Sequence, residues 1–289
     1  MTPTISNAAV LAANFSRSAA TYDEAAALAR ETGKRMFERL EYTRLTPKSV
    51  ADIGCATGDG VRALQKRFPG ALALAIDYAR PMLEAVRERT PRLQRILGRG
   101  PRLLNSDVNA LPLAARSLGL VWSNLMLQWL DDPLPAIREL HRVLEVDGLL
   151  MFATLGPDTL RELRMAAKIV GADNTARNFL DMHDLGDMLV AAGFSDPVMD
   201  MEMIALTYES ARGFLADQRH LGVRNALLGH LDWRQWRKLF AAWPRDAENR
   251  LPVSFEIVFG QAWKIPPTKT ADGHPIVQLH RRDPRQPTR

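Results

Sequence analysis

Short apolar runs alternate with amphipathic segments along the first half of the chain. After the first run, apolar residues recur three or four positions apart at Val61, Leu64 and Phe68, which is the period of a helix that buries one face. The alternation of strand-length runs with helix-length segments predicts a parallel sheet covered by helices on both faces. The runs that we interpret as strands are SVADI (49–53), ALALAI (71–76), RLLNS (102–106), LGLVWS (118–123) and LLMFATL (149–155).

The pattern changes at both ends of this alternating region. Residues 22–42 place their apolar side chains on one face of a single predicted helix. After residue 156 we predict a helix that begins through Asp158 and stops at Gly171. Residues 209–245 are helical in pattern and rich in arginine and tryptophan. In VSFEIVFGQAWKI, which follows, alternate residues are apolar, and this predicts a late antiparallel strand with one side exposed.

The composition is that of an ordinary globular protein. Of the 289 residues, 46% are hydrophobic and 25% are charged, and no apolar run approaches the ~20 residues of a membrane-spanning helix. The N-terminus lacks the ordered basic, apolar and small-residue regions of a secretory signal. Because Cys55 is the one cysteine, an internal disulfide and a cysteine-based metal cluster are excluded. We expect a cytoplasmic chain with no metal site.

The net charge of +5 is unevenly distributed. Residues 1–208 carry 24 Lys+Arg and 25 Asp+Glu, whereas residues 209–250 carry 8 and 5, and residues 264–289 carry 6 and 2. No nucleic-acid-binding motif accompanies either basic segment, so we expect no nucleic-acid partner. The prolines and charges of residues 266–289 predict a disordered basic tail.

Small residues occupy alternate positions of the turn that follows the first strand, in VADIGCATGDG (50–60). Asp52 lies near the end of this strand, and Asp77 closes the second strand 25 residues later. In a doubly wound sheet such residues share the crevice at the carboxyl ends of the strands, where nucleotides bind. Asp77 can accept both hydroxyls of a ribose, and Gly54 and Gly58 let the backbone approach a ligand. A tight turn without a ligand is the alternative interpretation of these glycines.

The spacing within this turn argues against a ligand that carries phosphate. A dinucleotide site has the pattern G-x-G-x-x-G and a P-loop requires G-K-[ST], whereas the spacing here is G-x-A-x-G. Asp59 stands at the predicted helix start, where a carboxylate would repel phosphate. S-adenosylmethionine has an adenosine, no phosphate and a cationic sulfonium. The pattern D-x-G-x-A-T-G, which contains Cys55 and Ala56, resembles motif I of the Rossmann-like S-adenosylmethionine-dependent methyltransferases.

Two later stretches match that superfamily in the same order. In NSDVNALPL, the resemblance places Asp107 at the adenine amine and Val108 beside the adenine ring, and a capping or turn role is the alternative for Asp107. In LVWSNLMLQWLDD, it implies that Ser123 and Asn124 lie beneath the methionine portion. The other implied positions are Tyr78 and Met82 for the cofactor and Gln128 and Trp129 for the methyl acceptor.

A closer resemblance covers about residues 14–265. The stretches FSRSAATYDEAAALARETGKRMFERL, FATLGPDTLREL, RHLGVRN and LPVSFEIVFGQAW are similar, in this order, to a biotin-pathway family that methylates the free carboxylate of malonyl-acyl-carrier protein. The resemblance implies S-adenosylmethionine as the cofactor, S-adenosylhomocysteine as its product and an acidic acyl carrier protein as the partner. We expect a monomer.

The resemblance also implies the fold class. This is an α/β fold with a Rossmann-like seven-stranded methyltransferase sheet, helices on both faces and a helical insert before the last antiparallel strand. Residues 1–45, the predicted N-terminal lid, and residues 209–250, the predicted cap insert, lie outside the strand–helix core and can fold over the cofactor. We divide the chain into an N-terminal helical lid, a cofactor-binding core, a helical cap insert, the final core strand and the tail, at residues 1–45, 46–208, 209–250, 251–265 and 266–289.

Methylation of a carboxylate makes few demands for acid-base chemistry. A malonyl half-acid has a pKa near ~4, so it is ionised at neutral pH and requires no general base. The carboxylate must instead be held within about 3–3.5 Å of the methyl group, with water excluded. In the resembled family the tyrosine of the TYD stretch closes on cofactor and acceptor, which points to Tyr22; simple packing on one helix face is the alternative. Arg219 or Arg224 would orient the carboxylate, unless both are solvated surface residues.

The sequence leaves two other functions open. One is a methyltransferase of another small carboxylate or of a quinone, which would act on a free acid without a carrier. The other is a methyltransferase-like assembly factor for a respiratory complex, in which GPDTLREL and DLGDMLVAAGF have counterparts. The set Asp52, Gly54, Gly58, Asp77 and Asp107 favours a working cofactor site.

Overall fold

A computed structural model of the protein describes residues 7–172, 176–229 and 231–266, so the predicted tail from residue 267 onward lies outside the described chain. The described part contains seven strands: β1 (Ser49–Ile53), β2 (Leu72–Asp77), β3 (Arg102–Asn105), β4 (Leu118–Asn124), β5 (Leu144–Leu155), β6 (Ser195–Tyr208) and β7 (Leu251–Trp263). They form one sheet in the order β3-β2-β1-β4-β5-β7-β6. β1 to β5 are parallel, and β7 runs antiparallel to both of its neighbours.

Twelve helices of the described chain surround or cover this sheet. Across the described ranges, none is long and apolar enough to cross a membrane. The helices are α1 (Asn7–Ser18), α2 (Tyr22–Ala25), α3 (Ala27–Glu41), α4 (Asp59–Arg67), α5 (Arg80–Arg89), α6 (Arg92–Ile96), α7 (Leu134–Val143), α8 (Arg161–Ile169), α9 (Met182–Ala191), α10 (Ala211–His220), α11 (Arg224–Leu227) and α12 (Trp233–Ala242).

The inner strands β1, β2, β4 and β5 are largely buried on both faces, which is why they are nearly continuous apolar runs. Alternate residues of one strand enter different clusters: in β1, Val50 belongs to one apolar core and Ala51 to the other. Trp122 of β4 is fully buried in the first core. This architecture confirms the predicted fold class, and the five strands predicted in the first half of the chain lie within a few residues of their expected bounds, apart from the earlier start of β5.

The prediction that the last strand has one side exposed is wrong. β7 lies between β5 and β6, and its polar residues are buried together with its apolar ones. The Ser254 hydroxyl donates to Glu162 of α8 at 2.5 Å, and Glu256 accepts the backbone N–H of Asp158 at 2.6 Å. Because buried polar groups need hydrogen-bond partners, these contacts explain how polar residues fit inside the core. The edge strand on this side of the sheet is β6 instead.

Two predicted helices differ at their N-terminal ends. Residues 22–42 do not form one helix, because the chain breaks at Ala26 between α2 and α3, and the break turns α2 toward the turn after β1. α8 does not begin through Asp158. It follows Leu160, which has a left-handed φ of 61°, and Asp158 lies in the preceding turn, where its N–H donates to Glu256.

Candidate active site

A cavity opens at the carboxyl ends of β1, β2 and β4. The N-terminal helices form one wall of this cavity, and residues of α10 and α11 form part of another. Its lining is largely apolar, and this favours exclusion of water from a bound ligand. The predicted residues that line it are Tyr22, Gly54, Ala56, Asp77, Tyr78, Met82, Asp107, Val108, Asn124, Gln128 and Trp129.

The turn after β1 is held in a left-handed conformation. Gly54 has a φ of 72°, and a Cβ atom there would lie 2.5 Å from Cγ of Met126. The backbone N–H groups of Gly54 and Cys55 both donate to the carbonyl of Ile76, which ties the turn to β2. Ala56 also has a positive φ, 45°, which costs a residue with a side chain roughly 1–2 kcal/mol. The turn therefore retains, at some cost in stability, a shape that brings its backbone to the cavity.

Asp77 links the turn to the end of β2. One carboxylate oxygen accepts the N–H of Ala56 at 3.0 Å, and the other accepts the N–H of Ala79 at 2.8 Å. Burial raises the pKa of Asp77 to about 6, despite these hydrogen bonds. A carboxylate with backbone donors behind it and a cavity in front of it suits the two hydroxyls of a ribose.

Four predicted cofactor residues lie behind the cavity wall. Asp52 is buried beneath the start of α4, where it accepts the N–H of Val61, and burial raises its pKa to about 7. The Ser123 hydroxyl donates to the carbonyl of Ile53 at 3.1 Å and so joins β4 to β1. Cys55 is buried, and Gly58 caps α4 with a φ of 90°. Contacts of these four with a cofactor remain predictions.

The charge of the cavity distinguishes between possible cofactors. Among the described lining residues, Asp77 and Asp107 carry charge and no lysine or arginine is present. Asp59 begins α4, at the helix terminus where a phosphate would otherwise bind. A pyrophosphate would therefore meet carboxylates without a compensating cation. The adenosine and the cationic sulfonium of S-adenosylmethionine fit this donor set.

Asp23 fastens the N-terminal helices to the turn after β1, which we call the cofactor turn after its predicted ligand. The Thr57 hydroxyl donates to one of its carboxylate oxygens at 2.6 Å, and Arg89 of α5 pairs with the other. Partial burial opposes ionisation of Asp23, but the hydrogen bonds from Arg89 and Thr57 outweigh it and lower the pKa. Thr21 adds a hydrogen bond to the carbonyl of His220, so α2 is also tied to α10. We call these four residues, Thr21, Asp23, Thr57 and Arg89, the lid clasp.

Tyr22 lies between Thr21 and Asp23 of the lid clasp and lines the cavity. Burial, reinforced by the carboxylates of Asp77 and Asp23, raises the pKa of its phenol. The Tyr22 phenol is therefore neutral at physiological pH, and its hydroxyl can serve as a hydrogen-bond donor.

The opposite end of the cavity is formed by the segment that follows β4. The Asn124 amide donates to the carbonyl of Ala29 and accepts from the Thr32 hydroxyl, each at 2.8 Å, and so holds α3 in place. Gln128 donates to the carbonyl of Leu125 at 2.7 Å. The ring of Trp129 meets Phe15 of α1 edge to face, with centroids 6.2 Å apart. These contacts hold together the end of the cavity where Gln128 and Trp129 are predicted to meet the methyl acceptor, and we call it the acceptor end.

The two arginines predicted to orient the acceptor do not line the cavity. Arg219 is exposed on α10, and Arg224 is half-buried at the start of α11. An orienting role for either one remains a prediction.

Several lining residues were not predicted individually. Gln218, Leu221 and Val223 come from the cap insert, whose helical pattern gave no sign of which face meets the core. Leu11 and Phe15 are four residues apart and form one face of α1, so the helical period was a usable signal.

Comparisons with known proteins agree with this geometry. A model of the methyltransferase-domain family matches residues 51–152, which include the cofactor turn and β4. Among solved structures, a Bacillus halodurans C-125 protein superposes with a TM-score of 0.59 at 13% identity, covering 82% of this chain and 100% of that chain. The phosphoethanolamine N-methyltransferase 2 of Haemonchus contortus, in complex with S-adenosylhomocysteine, gives 0.51 at 17% identity over 82% of this chain and 53% of its own. At these identities the structures support the fold.

Curated relatives match almost the whole chain. The malonyl-[acyl-carrier protein] O-methyltransferase of Laribacter hongkongensis is 46% identical over 279 residues, which are 93% of this chain and 94% of that protein. The corresponding protein of Gallionella capsiferriformans is 47% identical over 274 residues, 91% of this chain and 93% of its own. With this similarity extending through the lid, the cofactor turn and the cap, the chain belongs to the malonyl-[acyl-carrier protein] O-methyltransferase family.

Proposed function

We propose that the protein transfers the methyl group of S-adenosylmethionine to the free carboxylate of a malonyl thioester on an acyl carrier protein. The methyl ester would then enter biotin synthesis. The nearly full-length similarity to malonyl-[acyl-carrier protein] O-methyltransferases carries this proposal. The acidic cavity, which has no cation among its described lining residues, supports the choice of cofactor.

When bound, S-adenosylmethionine supplies a methyl group on a cationic sulfur that leaves as a neutral thioether. The transfer joins a cation and an anion, so water stabilises the separated reactants more than the transition state. The protein therefore has to orient the pair and exclude solvent. Asp77 would anchor the ribose. The lid clasp would hold α2 over the cavity, and the Tyr22 hydroxyl would donate a hydrogen bond to the bound ligand.

A direct assay tests the proposal. Purified protein is incubated with S-adenosylmethionine and malonyl-carrier protein, and the carrier is examined by intact mass spectrometry. We expect the addition of one methyl group to malonyl-carrier protein and none to acetyl-carrier protein, which lacks the free carboxylate. Methylation of free small acids or quinones without methylation of the carrier-bound malonyl group would replace this proposal with the first alternative.

Docking of the acidic carrier supplies a second prediction. The cap insert, residues 209–250, carries 8 Lys+Arg and 5 Asp+Glu, and Arg219 and Arg234 are exposed on it. Reversal of Arg219, Arg224 or Arg234 to glutamate should weaken carrier binding several-fold, and wild-type affinity should fall as salt rises, because exposed charge pairs are screened. Titration of fluorescent holo-carrier protein measures both effects.

Arg92→Glu is the matched control for these reversals. Arg92 is also exposed, but it lies on α6 between the end of α5 and the start of β3, at the amino edge of the sheet, and it does not line the cavity. If Arg92→Glu weakens carrier binding while the three cap variants bind the carrier as tightly as the wild type, the carrier docks on the α6 surface and the cap assignment is wrong.

A further inference from the structure

A second cavity adjoins the acceptor end of the first. It lies between the turn at Leu127–Trp129, the start of α9 and the loop of residues 177–180. Gln128, Leu130 and Leu155 line both cavities, so the two are separated by little more than these side chains. A ligand that reaches Gln128 from the cofactor side therefore meets this second space directly.

Arg177 gives the second cavity its charge. It is the one lysine or arginine among the described residues that line either cavity. Its Nη2 donates to the carbonyl of Leu130 at 3.2 Å and to Oδ1 of Asp131 at 3.3 Å. Its side chain is 23% exposed, whereas that of Asp131 is 63% exposed. A guanidinium thus lies close to the acceptor end, while both carboxylates of the first cavity lie on the adenosine side.

The loop that carries Arg177 is held from two sides. The backbone N–H of Arg177 donates to the carbonyl of Leu227 at 2.9 Å, and Ala176 forms a bridge with Leu228, so the loop is joined to the α11 segment. Arg164 of α8 donates to the carbonyl of Arg177 at 2.5 Å and to the Asn178 side chain at 3.1 Å. These contacts fix the backbone of the loop, so the Arg177 side chain begins from a held position before a ligand binds.

The hydrogen bond between Arg177 and Asp131 is long enough for the carboxylate of a ligand to replace Asp131. A charge-assisted hydrogen bond between nitrogen and carboxylate oxygen is usually about 2.7–2.9 Å long, and this one is longer. A carboxylate that enters from the acceptor can therefore compete with the exposed Asp131 for the guanidinium. Moderate pairing also suits the reaction, because a carboxylate held too tightly would be stabilised in the ground state.

We propose that Arg177 pairs with the free carboxylate of the acceptor where the two cavities meet, beside Gln128 and Leu130, so that one carboxylate oxygen can still face the cofactor. The inference rests on the proposed function, and it assigns to Arg177 the orienting role predicted for Arg219 or Arg224. The subsite formed at this junction accepts a carboxylate at the end of a short thioester chain, and an acyl group that ends in a methyl gains nothing from it. Arg177 is thus a determinant of specificity for a dicarboxylic thioester.

The test uses Arg177→Gln and Arg177→Lys in the full-length protein, with saturating S-adenosylmethionine and malonyl-carrier protein or malonyl-pantetheine as acceptor. We expect Arg177→Gln to raise KM for both acceptors on the order of 30-fold or more, with a smaller change in kcat, and Arg177→Lys to recover part of the loss. Affinities for S-adenosylmethionine and for acetyl-carrier protein should stay at wild-type values, since neither ligand presents this carboxylate.

Asp131→Asn supplies an independent readout that does not depend on the stability of the arginine variants. It removes the competing charge and keeps the side-chain shape, so KM for malonyl acceptors should fall several-fold. Arg92→Gln is the matched control and should leave KM for malonyl-pantetheine unchanged, because Arg92 is exposed on α6 and lines neither cavity. Suppose that the wild type methylates malonyl-carrier protein, but that Arg177→Gln and Asp131→Asn both have the wild-type KM for the malonyl acceptors. The subsite assignment is then wrong and the proposed function stands. Failure of the wild type to methylate the carrier would instead overturn the proposed function.

Discussion

Replacement of Asp77 by alanine should weaken S-adenosylmethionine binding on the order of 100-fold or more. The change removes the acceptor for two ribose hydroxyls, and hydrogen bonds to a charged group contribute about 1.5–3 kcal/mol each. It also removes the partner of the Ala56 N–H, which helps to hold the cofactor turn. Asp77→Asn keeps the shape and one acceptor oxygen, so it should fall between the wild type and Asp77→Ala. Isothermal calorimetry measures the three affinities.

Asp59→Asn is the control for the loss of a nearby negative charge. Asp59 begins α4 and its side chain is 54% exposed, and it is not among the described lining residues. We expect affinity within a few-fold of the wild type. Equal losses in Asp59→Asn and Asp77→Asn would mean that the general negative potential holds the cofactor and that no specific ribose contact exists.

The raised pKa of Asp77 adds a pH dependence to the same prediction. In the free protein burial raises this pKa to about 6, and a ligand that hydrogen-bonds to the ionised form must lower it. Binding therefore releases a proton below pH 6, and the affinity should be flat above about pH 7 and fall as the pH decreases through 6 toward 5. Calorimetry in buffers of different ionisation enthalpy detects the proton. Asp77→Asn should show neither effect.

Replacement of Asp23 by alanine should open the lid. The variant loses the Thr57 hydrogen bond and the Arg89 ion pair together, and these join α2 to the cofactor turn and to α5. We expect kcat/KM for malonyl-carrier protein to fall on the order of 10- to 100-fold, because an open site admits water to a reaction that joins opposite charges. Hydrogen exchange of residues 7–41 in the presence of cofactor should rise in the variant.

Glu24→Ala provides a neighbouring control on the same helix. The Glu24 side chain is 67% exposed and its recorded ion pair is with His220 at 3.6 Å, so its removal should change kcat/KM less than about 3-fold. If both variants lose activity equally, α2 contributes through its helical stability and the Asp23 contacts have no special part.

The parts of the site that follow from strand order could be predicted from the sequence. Gly54 and Asp77 end neighbouring parallel strands, so an alternating apolar pattern is enough to bring them to one crevice. The prediction of a ligand without phosphate followed from Asp59 and from the spacing of the small residues in the turn. These inferences depend on local chemistry and on the topology of a parallel sheet, which have few alternatives.

The parts that depend on packing between distant segments could not be predicted. Asp52 was recognised by its motif, but residues in a strand alternate between faces, and its carboxylate lies under α4 while the next residue, Ile53, lines the cavity. The sequence of β7 resembles that of a half-exposed strand, because the sequence does not show that Glu162 lies beside Ser254 and accepts its N–H. Arg177 lies in an irregular loop with no periodic signal, and its place follows from the contacts of that loop with α8 and α11.

The attachment of the first three helices has a consequence for how the chain is made. Every anchor of α2 and α3 described above belongs to a later residue, from Thr57 to His220, and Arg39 of α3 lies over the ring of Phe259 at 3.9 Å. At 5–20 residues per second, roughly 10–40 s separate the synthesis of α3 from that of Phe259. During that interval the core that buries Met36 and Leu40 in the finished protein is incomplete, because it includes residues of β7 such as Ile257 and Phe259. The helices α2 and α3 are therefore made before the residues that anchor them, and we expect them to dock late in folding.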